Sequence, residues 1–128
     1  MASWKDLMDI NYSGINKEVV TVLLAAAIVV ADIGKPVKVS ADNTVDLAAV
    51  ENPFPGVLDQ VDPSGGLGAL QYCGPVTVPY TGAPALNRQE LVANGAGGVK
   101  PPAVAGTGRM YFVLNIDETA GTITFLLT

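Results

Sequence analysis

The side chains with the makings of a reactive site are one thiol, Cys73, and the carboxylates Asp42, Asp46, Asp59, Asp62 and Asp117. The chain has no histidine. That removes the usual general base, proton shuttle and metal ligand together. A cysteine becomes a nucleophile beside a base or a positive charge; Cys73 has no His partner, and its strand setting predicts a buried, inert thiol. A lone cysteine cannot form an internal disulfide, which fits folding in a reducing cytoplasm. The aspartates sit among Asn, Gly and Pro, where solvated Asp is an ordinary turn residue. A calcium site built on Asp59 and Asp62 needs more oxygen ligands at a recognised spacing, and none follows. Gly95-Ala96-Gly97-Gly98 lacks the Gly-Lys-Ser/Thr ending and following helix of a phosphate loop, so it reads as a turn. The expectation is no catalytic residue, no metal and no cofactor.

Composition narrows the field further. Hydrophobic residues make up 49% of the 128 residues but aromatics only 6%, so the core is expected to be thin and packed from Val, Ala and Leu. A chain of this length forms one domain with a real core. The net charge of −5 repels phosphate backbones and argues against nucleic acid as a partner. Charged residues total 15%, below the roughly 25% of an average soluble domain, which suggests a surface partly covered by a partner.

The elements that hold these residues read as strands. Leu70 to Gly98 organises the chain: a strand through Val76, Val78 and Tyr80, a turn at Thr81–Pro84, a strand at Glu90–Ala93 and a tip at Asn94–Gly98. Pro36–Ser40 and Val45–Ala49 flank a hairpin tip at Asp42-Asn43. Asn52-Pro53-Phe54-Pro55 is a loop, because each proline pushes its predecessor out of helix. Gly56–Val61 is a strand, and Asp62–Gly66 a turn. Lys100–Gly108 is an extended connector. Arg109–Asp117 is a strand with Tyr111, Val113 and Asn115 on one face and Met110, Phe112 and Leu114 on the other. Glu118–Gly121 turns the chain into Thr122–Thr128, where Ile123, Phe125 and Leu127 alternate. The apolar run Val19–Ala31 is too short to span a bilayer and lacks a basic leader. It is expected to form one or two buried strands within Glu18–Val30 with a bend near Ala25–Ala27, although Leu23–Ala27 are also good helix formers.

The tip hairpins at 34–45 and 89–99 look like two copies of one unit, with a period of roughly 54 residues. The expected fold is all-β: a small β-barrel or β-sandwich-like domain at 18–128, built from two pseudo-repeated meanders packed into one barrel or sandwich. Residues 1–17 form an extended arm. A disordered tail seldom carries Trp, so Trp4, Leu7, Met8 and Ile10 are candidates to lie on a partner. Tyr72, Tyr80 and Arg88 are candidates for a subunit interface, where aromatics and Arg are enriched. The competing reading places the tyrosines at the edge of the core.

The order of Gly34-Lys35-Pro36-Val37, Pro55-Gly56-Val57, Gly74-Pro75-Val76-Thr77-Val78, Glu90-Leu91-Val92, Gly98-Val99 and Ile123-Thr124-Phe125-Leu126 resembles the capsid cement, or head decoration, proteins of tailed bacteriophages. The resemblance spans about Val22 to Thr128. It implies a virion protein on the outer capsid surface, folded in the host cytoplasm before assembly. Its partners are then the major capsid protein and itself, as a homotrimer at three-fold or quasi-three-fold positions, clamping coat subunits against internal DNA pressure. The alternative is a non-enzymatic β-sandwich surface-adhesion or glycan-binding module, against which the shortage of aromatics counts.

Overall fold

The alternating runs become nine strands: β1 (Glu18–Leu24), β2 (Pro36–Ala41), β3 (Thr44–Leu47), β4 (Gly56–Val61), β5 (Leu67–Pro79), β6 (Asn87–Ala93), β7 (Val99–Lys100), β8 (Arg109–Asp117) and β9 (Thr122–Leu127). The computed structural model describes residues 18–62 and 66–127. Among these there is no α-helix, only a single 3-10 turn at Val30–Asp32. The proposed arm, the middle of the turn at 62–66 and Thr128 lie outside the described residues.

The first five strands close into a barrel in the order β1-β3-β2-β4-β5. β1 completes the ring. It runs parallel to β3 at Leu23–Thr44 and Leu24–Val45, and antiparallel to β5 from Val19–Gln71 to Leu23–Leu67. Ile28, Val37, Val45, Leu58 and Leu70 fill the interior. The remaining strands curl in the same way, in the order β5-β9-β8-β6-β7. A parallel bridge from Tyr80, at the end of β5, to Val99 of β7 closes this second ring. Its core is larger and holds Phe54, Val76, Val78, Leu91, Tyr111, Val113, Ile123, Phe125 and Leu127.

The two rings repeat one plan with a period of about 55 residues. Leu24 N–H donates to Gly66 O at 2.8 Å, and Tyr80 N–H to Gly121 O at 3.1 Å. Ala25 N–H donates to Val45 O at 2.9 Å, and Thr81 N–H to Val99 O at 3.0 Å. A bulge interrupts β4 between Leu58 and Gln60, and the matching bulge interrupts β8 between Val113 and Asn115. Gly66 and Gly121 both take positive φ where each closing hairpin turns. The repeat is therefore real, but its halves do not share one interior as the sequence suggests. Each half closes on itself, and β5 belongs to both.

That sharing needs a joint. The first part of β5 pairs with β1 and β4, the second part with β9 from Gly74–Leu127 to Pro79–Thr122. Between them Gly74 adopts φ +105, a region that costs an L side chain strain. The amide of Gln71, itself buried, donates to Cys73 O at 3.2 Å and to Pro75 O at 3.1 Å, spanning the kink. A loop adds a second tie. Glu51 N–H donates to Ala93 O and Ala93 N–H to Asn52 O. Phe54 then enters the second core, stacked on Tyr111 at 5.4 Å and edge-on to Phe125 at 6.2 Å.

Two expectations are corrected. The apolar run bends at Ala25–Ala27 as expected, but no second strand follows the bend and much of the run is exposed. β1 stops at Leu24, and Ala26-Ala27 turn the chain towards the 3-10 turn. The buried Asp32 fixes that bend, accepting from Val29 N–H at 3.0 Å and Lys35 Nζ at 2.8 Å. These bonds, the one from Lys35 foremost, hold its carboxyl below the usual range. Val19, Val20 and Leu23 are 45%, 45% and 47% exposed, and among the described residues β3 reaches β1 only at Leu23 and Leu24. On β8, Tyr111 and Val113 share one face as expected, and that face is the inner one, but the bulge at Leu114 shifts the alternation. Asn115 turns outward and Ile116 packs on the core instead.

Two substitutions test this account. Gln71→Leu leaves the carbonyls at the kink without their donor and is expected to lower stability by about 2–3 kcal/mol in urea denaturation; an unchanged midpoint contradicts the joint. Tyr111 donates its hydroxyl to Phe54 O at 2.9 Å, and burial pushes its pKa up to about 12. Its neutral form is favoured by folding, so its contribution is complete below about pH 10 and is lost as pH rises towards that raised value. Tyr111→Phe is expected to flatten this alkaline loss while costing about 1 kcal/mol at neutral pH.

Candidate interaction surfaces

The described residues contain no group of three or more Cys, Asp or Glu placed to hold a metal ion. Asp59 sits in the β4 bulge and Asp62 just past the end of that strand. Asp117 accepts from the amides of Thr119 and Ala120 and so builds its turn. The Asn94–Gly98 tip is held in the same way, with Asn94 Oδ1 accepting from Ala96 N–H at 2.8 Å and Gly98 N–H at 3.0 Å. A Cβ on Gly98 would lie 2.3 Å from Pro79 O, so this glycine serves close packing. Cys73 is half-buried rather than fully buried, because it flanks the β5 joint.

Trp4, Leu7, Met8 and Ile10 lie outside the described residues. The three interface candidates are described, and the fold does not bring them together. Tyr72 is the extra residue of a bulge where β5 meets the start of β1, and it is exposed. The charge of Glu18 beside it, with a hydrogen bond to the same carboxylate, raises its pKa. Tyr80 is half-buried, bridges to Val99 and packs against the second core, as the core-edge reading has it. Arg88 is exposed on β6, directly across from Phe112.

Arg88 belongs to a row that runs across four strands. It pairs with Phe112 on β8, Phe112 with Leu126 on β9, and Leu126 with Pro75 on β5. Above and below the row are Met110 and Leu114, 50% and 45% exposed beside Phe112 at 52%. Thr77 and Thr124 continue the face one pair further along and share a 2.8 Å hydroxyl bond. This surface is broad and shallow. Its signal was present in the alternation of β8, which separates Met110, Phe112 and Leu114 from Tyr111 and Val113. Alternation alone does not say which set faces the core. The second core does, because Phe54 arrives from another loop and covers Tyr111.

A second charged cluster lies where the first half meets the second. Glu51 takes φ +66 and pairs with Lys100, and its other oxygen accepts from Ala103 N–H at 3.1 Å. The ion pair, followed by that amide bond, lowers the Glu51 pKa. Glu90 likewise accepts from Gly106 N–H at 2.7 and 2.9 Å. These contacts pin the extended connector at 101–108 onto the second ring, so the carboxylates work as clasps.

No protein-family model matches the chain, and no curated protein matches it.

The surface assignment separates two phenylalanines on neighbouring strands. Phe112→Ser is expected to change stability by about 0.5 kcal/mol or less, as for an exposed position. Phe125→Ser, facing the other way, is expected to cost about 3–5 kcal/mol. Urea denaturation of both variants measures the difference, and equal losses contradict the assignment.

Proposed function

We propose that the protein is a non-enzymatic decoration protein, which binds the outer surface of an expanded phage capsid and stabilises contacts between coat subunits. The observation that carries this reading is the Arg88–Phe112–Leu126–Pro75 row, a face four strands wide with an apolar centre and only an open recess at Arg88, Met110 and Phe112. A flat face of this kind suits another protein surface better than a small substrate, which needs a concave site. The order of motifs shared with head decoration proteins points to the coat as that surface and to trimers at three-fold positions. Many weak contacts from a symmetric trimer then add up through multivalency. Residues 1–17 extend the contact: burying Trp4 and Leu7 contributes about 3–5 kcal/mol before the cost of ordering the arm.

The test is to mix purified protein with expanded heads that lack decoration, and to measure occupancy by pelleting and the temperature at which the heads disrupt. Saturable binding with a raised disruption temperature is expected. Removing residues 1–17 is expected to weaken occupancy about tenfold while leaving the melting curve of the protein in place. Phe112→Ser is expected to weaken it as well. Absence of binding at micromolar protein, with retention on a glycan array, would move the assignment to an adhesion module.

A further inference from the structure

The repeat makes it possible to compare two edges that ought to behave alike. In β1, Leu23 and Ala25 donate to β3, at Asn43 O and Val45 O. Backbone groups alternate from side to side along a strand, so Val19 and Thr21 aim their N–H and C=O groups at the same side. No strand lies there among the described residues, because β3 pairs only with Leu23 and Leu24. The second half of β5 takes the place of β1 in the other ring, and the same alternation turns Pro75, Thr77 and Pro79 towards its open side. Two of these three are proline, which has no N–H to offer. Proline is a standard guard of an exposed edge. Val19 and Leu23 stand at the positions of Pro75 and Pro79. One copy of the edge is blocked, and the other is open, β-branched and apolar on both faces.

We propose that the open edge of β1 pairs with β1 of a second copy of this chain, antiparallel about a two-fold axis at Val20. Val19 then exchanges both backbone bonds with Thr21 of the other copy, and Thr21 with its Val19. In this register Glu18 faces an apolar Val22 rather than a like charge, and Val20 meets Val20, a favourable β-branched pair. The contact is isologous and closes on itself, so it yields a pair rather than a fibre. It uses a surface separate from the Phe112 face and does not depend on the capsid reading.

The experiment measures mass by light scattering and backbone hydrogen exchange over a concentration series, on the full chain. The wild type is expected to double in mass relative to the species at the lowest concentration, with protection appearing at the Val19 and Thr21 amides over the same range. Val19→Pro copies Pro75 at the equivalent position and removes a donor that no bond among the described residues uses, so it is expected to abolish both the doubling and the protection. Thr21→Lys, at an exposed position, is expected to do the same and serves if Val19→Pro does not fold. Amides at Val19 and Thr21 that exchange freely at every concentration overturn the proposal. So does protection that is independent of concentration, which would mean that the edge is covered from within one chain. Doubling that persists in Thr21→Lys overturns it too.

Discussion

Everything in this fold hangs on one strand serving two rings. β5 gives its first part to the barrel of β1–β4 and its second part to β6–β9. A strand cannot turn from one curved wall into another without losing ladder bonds at the crossing. Gly74 absorbs the change of direction, and the Gln71 amide replaces the missing donors. A buried amide that satisfies two carbonyls is worth more than its own bond, because without it the crossing would leave unpaired polar groups. The Phe54 loop adds backbone bonds to Ala93, and Phe54 itself stacks on Tyr111 and meets Phe125 edge-on.

Much of this was legible in the residues. The strands 56–61 and 109–117 have the bounds that alternation and flanking turns predict, and Ile123, Phe125 and Leu127 all face the core. Hairpin tips were marked by Asp42-Asn43 and by the Gly-rich stretch because only such residues accept those dihedrals. The repeat showed as paired tips and paired strands. Its consequence did not show, since sequence similarity says that two units exist and not whether they share a core or close separately. That choice is made by β1 and by Tyr80, through backbone bonds that leave no trace in side-chain pattern. In Val19–Ala31 only the bend was legible: apolar content predicts burial, but a side chain is buried only where another element packs over it, and Val19, Val20, Leu23, Val29 and Val30 stay exposed.

The candidate surface was half visible. Arg88 was singled out by type, and it stands at one end of the apolar row. Tyr80 was chosen on the same grounds and sits against the core. Residue type reports what a side chain does once exposed; exposure itself depends on long-range pairing. The Leu114 bulge shows how finely this is set. One inserted residue exchanges Asn115 for Ile116 at the core, and the matching bulge in β4 shows that the insertion is part of the repeated plan.

The two rings are closed unequally. The first has a strand, β1, laid along one wall and joined to β3 at its end. The second is shut by the bridge at Tyr80 and Val99 and by the bonds that Thr81 makes. Its seam therefore lies at the junction of two chain segments, next to a two-residue strand. The tip at 94–98 is tied across that seam by Asn94 Nδ2, which donates to Thr81 Oγ1 at 3.4 Å, and Val99 behind it is fully buried with the aromatic core. Where the first ring is shut by the length of a strand, the second is shut by the packing of one side chain.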